Sequence, residues 1–133
     1  TIPFLVDGNS NEVKVLLYDF AKKLSGNAEF AADKQRLQMH LSAVIVSNFT
    51  NHLYVLAQDY CKQHQLSFQL LQPLISEVAN RLQNEHAYDL QTGPARRGDE
   101  ETIEKHLQLL QQHPQLFKIY QQLTESIKTM YQS

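Results

Sequence analysis

The sequence has 133 residues, 42% of them hydrophobic, and a formal net charge of −2. This length and composition predict one compact domain with a core of its own and exclude a disordered tail. The near balance of 14 acidic and 12 basic residues offers no positive patch, so neither nucleic acid nor an anionic membrane surface is an expected partner.

The first 32 residues predict a strand, a helix and a second strand. An apolar run at residues 2–6 ends in a turn and suits a buried strand. Residues 13–24 carry apolar side chains at helical spacing, followed by Gly26 as a stop. Residues 28–32 are a weaker strand candidate. Because two strands alone are marginal in water, we interpret this region as the edge of a larger sheet whose other strands lie upstream.

The long segment from Asp33 to about Gln65 contains no glycine or proline and predicts one helix of about 45–50 Å. Ser67 can cap the next helical segment, which Pro73 either kinks or begins, and which we expect to extend to about Glu85.

Two more helices are predicted after the glycines at residues 93 and 98. Asp99 is an N-cap for a helix that ends near Gln112, and Pro114 begins the last one. The expected fold class is mainly α, a helical bundle around one long central helix, preceded by the short strand-helix-strand edge.

Four polar residues fall within an arc of about 100° on the otherwise apolar long helix: His40, Ser47, Asn48 and Asn51. We expect this polar stripe to be buried, so its members need partners, either in neighbouring loops or in a ligand. His40 can exchange a proton near neutral pH, although a single helical histidine is commonly structural.

The signature segment, residues 92–99, reads Thr-Gly-Pro-Ala-Arg-Arg-Gly-Asp and contains two of the chain's four glycines. It is predicted to be a loop that either connects two helices or binds a small anion. Thr92 offers a hydroxyl group, Arg97 offers a planar fork for carboxylate or phosphate, and Asp99 caps the next helix. The alternative for the arginine pair is solvation or pairing with a nearby glutamate (Glu100, Glu101 or Glu104).

Other sites are not indicated. The single cysteine, Cys61, cannot form an internal disulfide and is expected to be a small buried hydrophobe. The histidines lack the spacing of a metal site, so no metal is predicted. No apolar stretch approaches the roughly 20 residues of a membrane span, which makes the cytoplasm the expected location. The apolar start without an initiator Met indicates a piece of a longer protein.

Three motifs together carry a resemblance. They are His40-x-x-Ala-x-x-x-Ser-Asn-Phe on the long helix, Leu66-Ser-Phe followed by Leu71-x-Pro-Leu-Ile, and the signature segment. The chain resembles the Rossmann-like, NADP-oxidoreductase-type family whose C-terminal half is a domain of unknown function. More distantly it is similar to pyrroline-5-carboxylate reductase, ketopantoate reductase and the phosphogluconate dehydrogenase-like helical domain.

The resemblance implies that residues 1–32 are the edge of an incomplete Rossmann-like nucleotide-binding domain. Residues 33–133 would be a helical substrate and dimerisation domain of an NAD(P)-dependent oxidoreductase, with NADP bound by a missing N-terminal domain. A homodimer and a small, anionic substrate are the implied partners. The alternative is a non-catalytic helical module for dimerisation or regulation.

The resemblance also implies roles for particular residues in a shared substrate cleft. His40, Asn48 and Asn51 would be catalytic, by relaying a proton and bonding a carbonyl or imine group. The implied substrate-binding residues are Ser47, Thr92, Arg97 and Asp99. The chain has no dinucleotide-binding glycine motif of its own.

Overall fold

The computed structural model describes residues 3–132. It comprises two compact units, Thr1–Val55 and Leu56–Ser133. Ile2 of the predicted first strand lies outside the described residues. The predicted boundary between residues 32 and 33 concerns the domains of a longer protein and stays a prediction.

The N-terminal unit begins with the predicted strand, helix and strand. Strand β1 (Phe4–Val6) pairs in parallel with β2 (Ala28–Phe30), and helix α1 (Asn11–Ser25) connects them. A parallel pair needs such a crossover because a tight turn cannot return the chain in the same direction. The Ser10 side chain accepts a hydrogen bond from the amide of Val13 at the start of α1. Gly26, with φ 73°, ends the helix in the left-handed conformation.

Asp7 connects three elements of this unit. Its carboxylate accepts a hydrogen bond from the Gly8 amide at 2.9 Å, which tightens the turn after β1. It also forms ion pairs with Lys14 of α1 and with Arg36 of the next helix, both at 3.0 Å. These donors stabilise the charged carboxylate, Lys14 most strongly, and lower the pKa of Asp7 to about 2.

The long helix is confirmed over residues 33–63, but it is not α-helical throughout. Helix α2 (Asp33–Ala43) passes into a π-helical segment (Val44–Phe49) and then into α3 (Thr50–Gln63). The Thr50 hydroxyl donates to the Ile45 carbonyl, five residues earlier, at 3.3 Å. Such a side-chain donor satisfies a carbonyl where the hydrogen-bond ladder is widened.

Several short helices and one longer one, α8, make up the C-terminal unit beyond α3. Pro73 lies in the first turn of α4, so the proline begins this helix and does not kink it. The predicted extension to Glu85 is wrong, because a turn follows Arg81. The helix after Asp99 ends at Leu109, three residues before Gln112. The elements are a 3-10 turn (Phe68–Leu71), α4 (Gln72–Arg81), α5 (Ala87–Leu90), α6 (Pro94–Arg97), α7 (Glu100–Leu109) and α8 (Pro114–Tyr131).

The buried core is much smaller than the sequence predicted. Among the described residues, the buried hydrophobic side chains are mostly small, and they are Ala21, Ala28, Cys61, Ala95, Ile103 and Leu110. Large apolar residues are exposed instead, including Leu16 at 69% and Val46 at 71%. The reason is that a helix buries its apolar stripe only where another element covers it. In residues 3–132, no helix combines the length and the apolar character needed to cross a membrane.

We predict that Asp7→Asn destabilises the N-terminal unit at neutral pH. A pKa lowered from 3.8 to about 2 means that charged Asp7 stabilises the fold above about pH 4, and that this contribution is lost as the pH falls through 2. Thermal unfolding of the full-length protein should show a lower Tm for the variant at pH 7, and the difference should shrink toward pH 2. Asp19→Asn, on the exposed side of α1, is the matched control; an equal loss in both variants would contradict the assignment.

Candidate functional site

The signature segment is not an open loop but a single helical turn between two glycines. Gly93 has φ 101° and ψ 175°, and Gly98 has φ 69° and ψ 30°. Both are conformations that glycine adopts far more easily than other residues. Pro94 begins α6 between them because its ring fixes a helical φ. The predicted loop is therefore wrong in detail, and the backbone of residues 94–97 has a defined helical shape.

Asp99 caps α7, as predicted. One carboxylate oxygen accepts from the Thr102 amide at 3.1 Å and the other accepts from the Thr102 hydroxyl at 2.8 Å. The side-chain hydrogen bond from Thr102 is the main cause that lowers the pKa of Asp99, and the amide bond and Arg97 add to it. The carboxylate is thus occupied in holding the helix start, and its role in binding substrate stays a prediction.

The two arginines of the signature segment have different surroundings. Arg96 lies over the Tyr131 ring, with its guanidinium carbon 4.6 Å from the ring centroid. Arg97 lies 3.5 Å from Asp99, and its side chain is 63% exposed. Glu100 and Glu101 do not pair with these arginines, because they pair with Lys128 and Lys105. Arg97 therefore presents most of its donors outward.

Sequence reasoning missed two residues that contact the signature segment. Tyr131 supplies the ring under Arg96, and the Gln132 side-chain amide donates to the Ala95 carbonyl at 2.6 Å. Each lies more than 30 positions after the residue that it contacts, so no local motif signals the contact. Thr92, which was predicted, is exposed, and its carbonyl accepts from the Gln91 side chain at 2.9 Å.

The polar stripe of the long helix is exposed in this chain, so its expected burial is wrong. His40, Ser47, Asn48 and Asn51 are all exposed, as are most of the apolar residues around them. The stripe is also not straight. A π-helical turn holds about one residue more than an α-helical turn, which rotates the following residues by about 100° relative to an uninterrupted α-helix. Asn51 follows this turn and does not lie on the predicted line with His40, whereas Ser47 and Asn48 lie within the turn itself.

His40 lines an open cleft of about 710 Å³ in the N-terminal unit. Pro3, Leu5 and Ala28 of the strand region form one side, and Arg36 lies on the same helix as His40. The Arg36 guanidinium donates to the Ala31 carbonyl at 2.9 Å and pairs with Asp7, so it has partners already. The cleft surface is mostly apolar around the histidine, and within the described part of the chain no cluster of three His, Cys, Asp or Glu residues could hold a metal ion.

Of the predicted residues, Arg97 and Asp99 are brought into contact in the C-terminal unit, with Thr92 in the same segment. The others (His40, Ser47, Asn48 and Asn51) lie on the helix of the N-terminal unit. The shared cleft implied by the resemblance stays a prediction.

The decisive comparison is with protein families. The model of a domain of unknown function, DUF2520, matches residues 2–127. This chain belongs to the DUF2520 family. The predicted membership in a family with a domain of unknown function is confirmed, while the more distant resemblances to named reductases stay predictions. No significant match was found among curated proteins.

Two solved structures are similar to this DUF2520 domain. A Bacteroides fragilis protein described as a "putative NADP oxidoreductase" has 38% sequence identity and a TM-score of 0.93, and the match covers 97% of this chain and 50% of that protein. A Thermotoga maritima protein has 21% identity and a TM-score of 0.75, over 92% of this chain and 51% of that protein. The second likeness concerns the fold alone. The domain spans about half the length of each, and the predicted mainly α fold class is confirmed.

We predict that Gly93→Ala costs about 1–3 kcal/mol of unfolding free energy because a side chain is strained at this backbone conformation. A Cβ at this position meets nothing within 4 Å, so the cost is conformational and not a clash. Denaturant unfolding of the full-length protein measures it. Gln122→Ala, an exposed substitution on α8, should change the free energy by less than about 0.5 kcal/mol. Equal values for the two variants would show that the turn tolerates an ordinary residue.

Proposed function

We propose that this domain is the C-terminal substrate-binding and dimerisation domain of an NAD(P)-dependent oxidoreductase and that it lines the cleft opposite the nicotinamide. The observation that carries the proposal is the match to the Bacteroides fragilis protein, with a TM-score of 0.93 and 38% identity over 97% of the chain. Fold similarity alone does not establish chemistry, so each proposed role depends on the chemical groups of a particular residue.

The cofactor is assigned to the part of the longer protein outside this chain. The turn after β1 does not fit a dinucleotide, because it contains a single glycine, Gly8, where a pyrophosphate loop needs several. The Asp7 carboxylate also lies in this turn and would repel phosphate groups. The redox chemistry therefore belongs to the other half, and the residues of this domain bind and orient the substrate.

Arg97 is the proposed anchor for the charged group of the substrate. Its guanidinium is planar, permanently charged and 63% exposed, and such a group binds a carboxylate or phosphate with two parallel hydrogen bonds. Asp99 at 3.5 Å is itself held by Thr102, so it limits the positions that the guanidinium can take. Thr92 adds a hydroxyl group on the other side of the same turn.

The polar residues of the long helix are the proposed contacts to the reacting group. π-Helical turns occur frequently at functional sites, and Ser47 and Asn48 lie within one. The Asn48 and Asn51 amides can donate to a carbonyl or imine, and Ser47 adds a hydroxyl donor. His40 is the proposed proton relay, since imidazole is the side chain that exchanges protons most readily near neutral pH.

A homodimer is part of the proposal. Leu37, Leu41 and Ile45 on the long helix are 69%, 59% and 50% exposed, which leaves a large apolar face uncovered in the single chain. Apolar faces of this kind commonly mark interfaces between proteins. The same face also favours the second candidate, a non-catalytic helical module for dimerisation or regulation.

Calorimetric titration of the full-length protein with NADPH and NADH separates the two candidates. We expect one of the cofactors to bind, followed by its oxidation with members of a panel of keto acids and cyclic imines. Failure of both cofactors to bind would remove the oxidoreductase proposal and leave the helical module.

We predict that Arg97→Ala in the full-length enzyme raises the KM for an anionic substrate by about tenfold to 100-fold, because it removes a charge-assisted hydrogen bond. Steady-state kinetics of cofactor oxidation measure the effect, and kcat should change less than KM. Lys105→Ala is the matched control, since it removes an exposed cation of the same unit that pairs with Glu101. Unchanged kinetics for Arg97→Ala would remove this residue from the site.

A further inference from the structure

The C-terminal end of α8 and Gln132, which follows it, contact the chain on both sides of Arg97. Before Arg97, the Gln132 side-chain amide donates to the carbonyl of Ala95, and Ala95 is only 6% exposed. After Arg97, the Lys128 ammonium group contacts the Glu100 carboxylate at 2.7 Å. Residues 95–100, which include Arg97, are thus contacted from the end of α8 both before and after that arginine.

The Tyr131 ring adds a third contact that is aromatic. Its face lies under the Arg96 guanidinium, whose carbon is 4.6 Å from the ring centroid. The ring itself is fixed, because it stacks on Tyr88 with centroids 4.5 Å apart, and its hydroxyl donates to the Tyr88 carbonyl at 2.9 Å. The ring face attracts the cation, which favours this position of the Arg96 side chain. Arg96 is thereby kept on the α8 side, which separates its position from that of Arg97.

Gly98 allows this close approach. A Cβ built on Gly98 would lie 3.3 Å from the side-chain nitrogen of Gln132. The left-handed φ of 69° favours glycine at the position after Arg97, and a Cβ there would require the Gln132 side chain to shift by a few tenths of an ångström.

We propose that Tyr131 and Gln132 are positioning residues that hold the signature segment in one conformation and so present Arg97. This inference rests on the proposed role of Arg97 as an anchor for an anionic substrate. The restraint that Tyr131 and Gln132 place on the signature segment is a property of the fold, and it can be measured without an activity assay.

Limited trypsin digestion of the native full-length protein tests directly whether the signature segment is restrained, because trypsin cleaves after Arg96 and Arg97. A cleavable bond must leave its folded conformation to enter a protease, so the rate of cleavage reports local release. We expect Gln132→Ala to raise cleavage after these arginines by about fivefold, the effect of one hydrogen bond. Tyr131→Leu should raise it by about two- to fivefold, the effect of an exposed cation–π contact.

Two comparisons separate positioning from general loosening. Tyr131→Phe keeps the ring under Arg96 and its stacking on Tyr88 but loses the hydrogen bond to the Tyr88 carbonyl, so it should raise cleavage less than Tyr131→Leu does. In the same digest, cleavage after Lys105 of α7 should stay unchanged. Gln122→Ala, on the same helix as Tyr131, is the matched control variant.

The inference is overturned if Gln132→Ala and Tyr131→Leu are cleaved after Arg96 and Arg97 at the wild-type rate. It is also overturned if cleavage after Lys105 rises equally, or if Tyr131→Phe behaves as Tyr131→Leu does. A failure of NADPH and NADH to bind would leave these rates unaffected, so the proposed function and the proposed hold fail separately.

Discussion

Apolar surface that the chain leaves uncovered is the constraint on which the rest of this structure depends. The N-terminal unit buries the small residues Ala21 and Ala28, while Phe20 and Leu24 of α1 are each 60% exposed. Full burial of one such large side chain is worth about 1.5–3 kcal/mol, so the uncovered faces represent stabilisation that the single chain does not gain. A second copy and the other half of a longer protein, as proposed, would supply the missing cover. In that proposal, the apolar helix faces of this domain are buried by neighbouring protein and not by the domain itself.

Specific polar contacts maintain local geometry where the core is thin. Asp7 joins a turn and two helices in the N-terminal unit, and Asp99 fixes the start of α7 in the C-terminal unit. Both carboxylates have a lowered pKa because they accept hydrogen bonds in the charged form. Each carboxylate has a partner close in sequence, Gly8 for Asp7 and Thr102 for Asp99. These polar contacts fix the backbone geometry at the turns. Stabilisation from buried apolar surface depends on whether another element or another chain covers the exposed helix faces.

The parts of the fold that could be read from the sequence are those set by local chemistry. Gly26, Asp99 and Pro114 marked helix ends correctly because capping depends on neighbouring atoms. The π-helical segment at residues 44–49 could not be predicted, since its composition is that of an ordinary apolar helix. The predicted burial of the polar stripe was wrong because periodicity shows which residues share a face and not whether another element covers that face.

The same limit applies to the candidate site. The residue types in the signature segment left two interpretations open, a connector between helices and an anion-binding loop, and gave no sign that Arg96 lies over an aromatic ring while Arg97 pairs with Asp99. That distinction comes from Tyr131, which lies 35 positions after Arg96 in the sequence and contacts it in space. The π-helical segment has a further consequence for how the family can vary. Loss of one residue there would turn α3 relative to α2 and present a different set of side chains, without altering either helix. If the polar residues of the long helix contact a substrate as proposed, a single-residue insertion or deletion in this segment would move all the residues after it around the helix axis together.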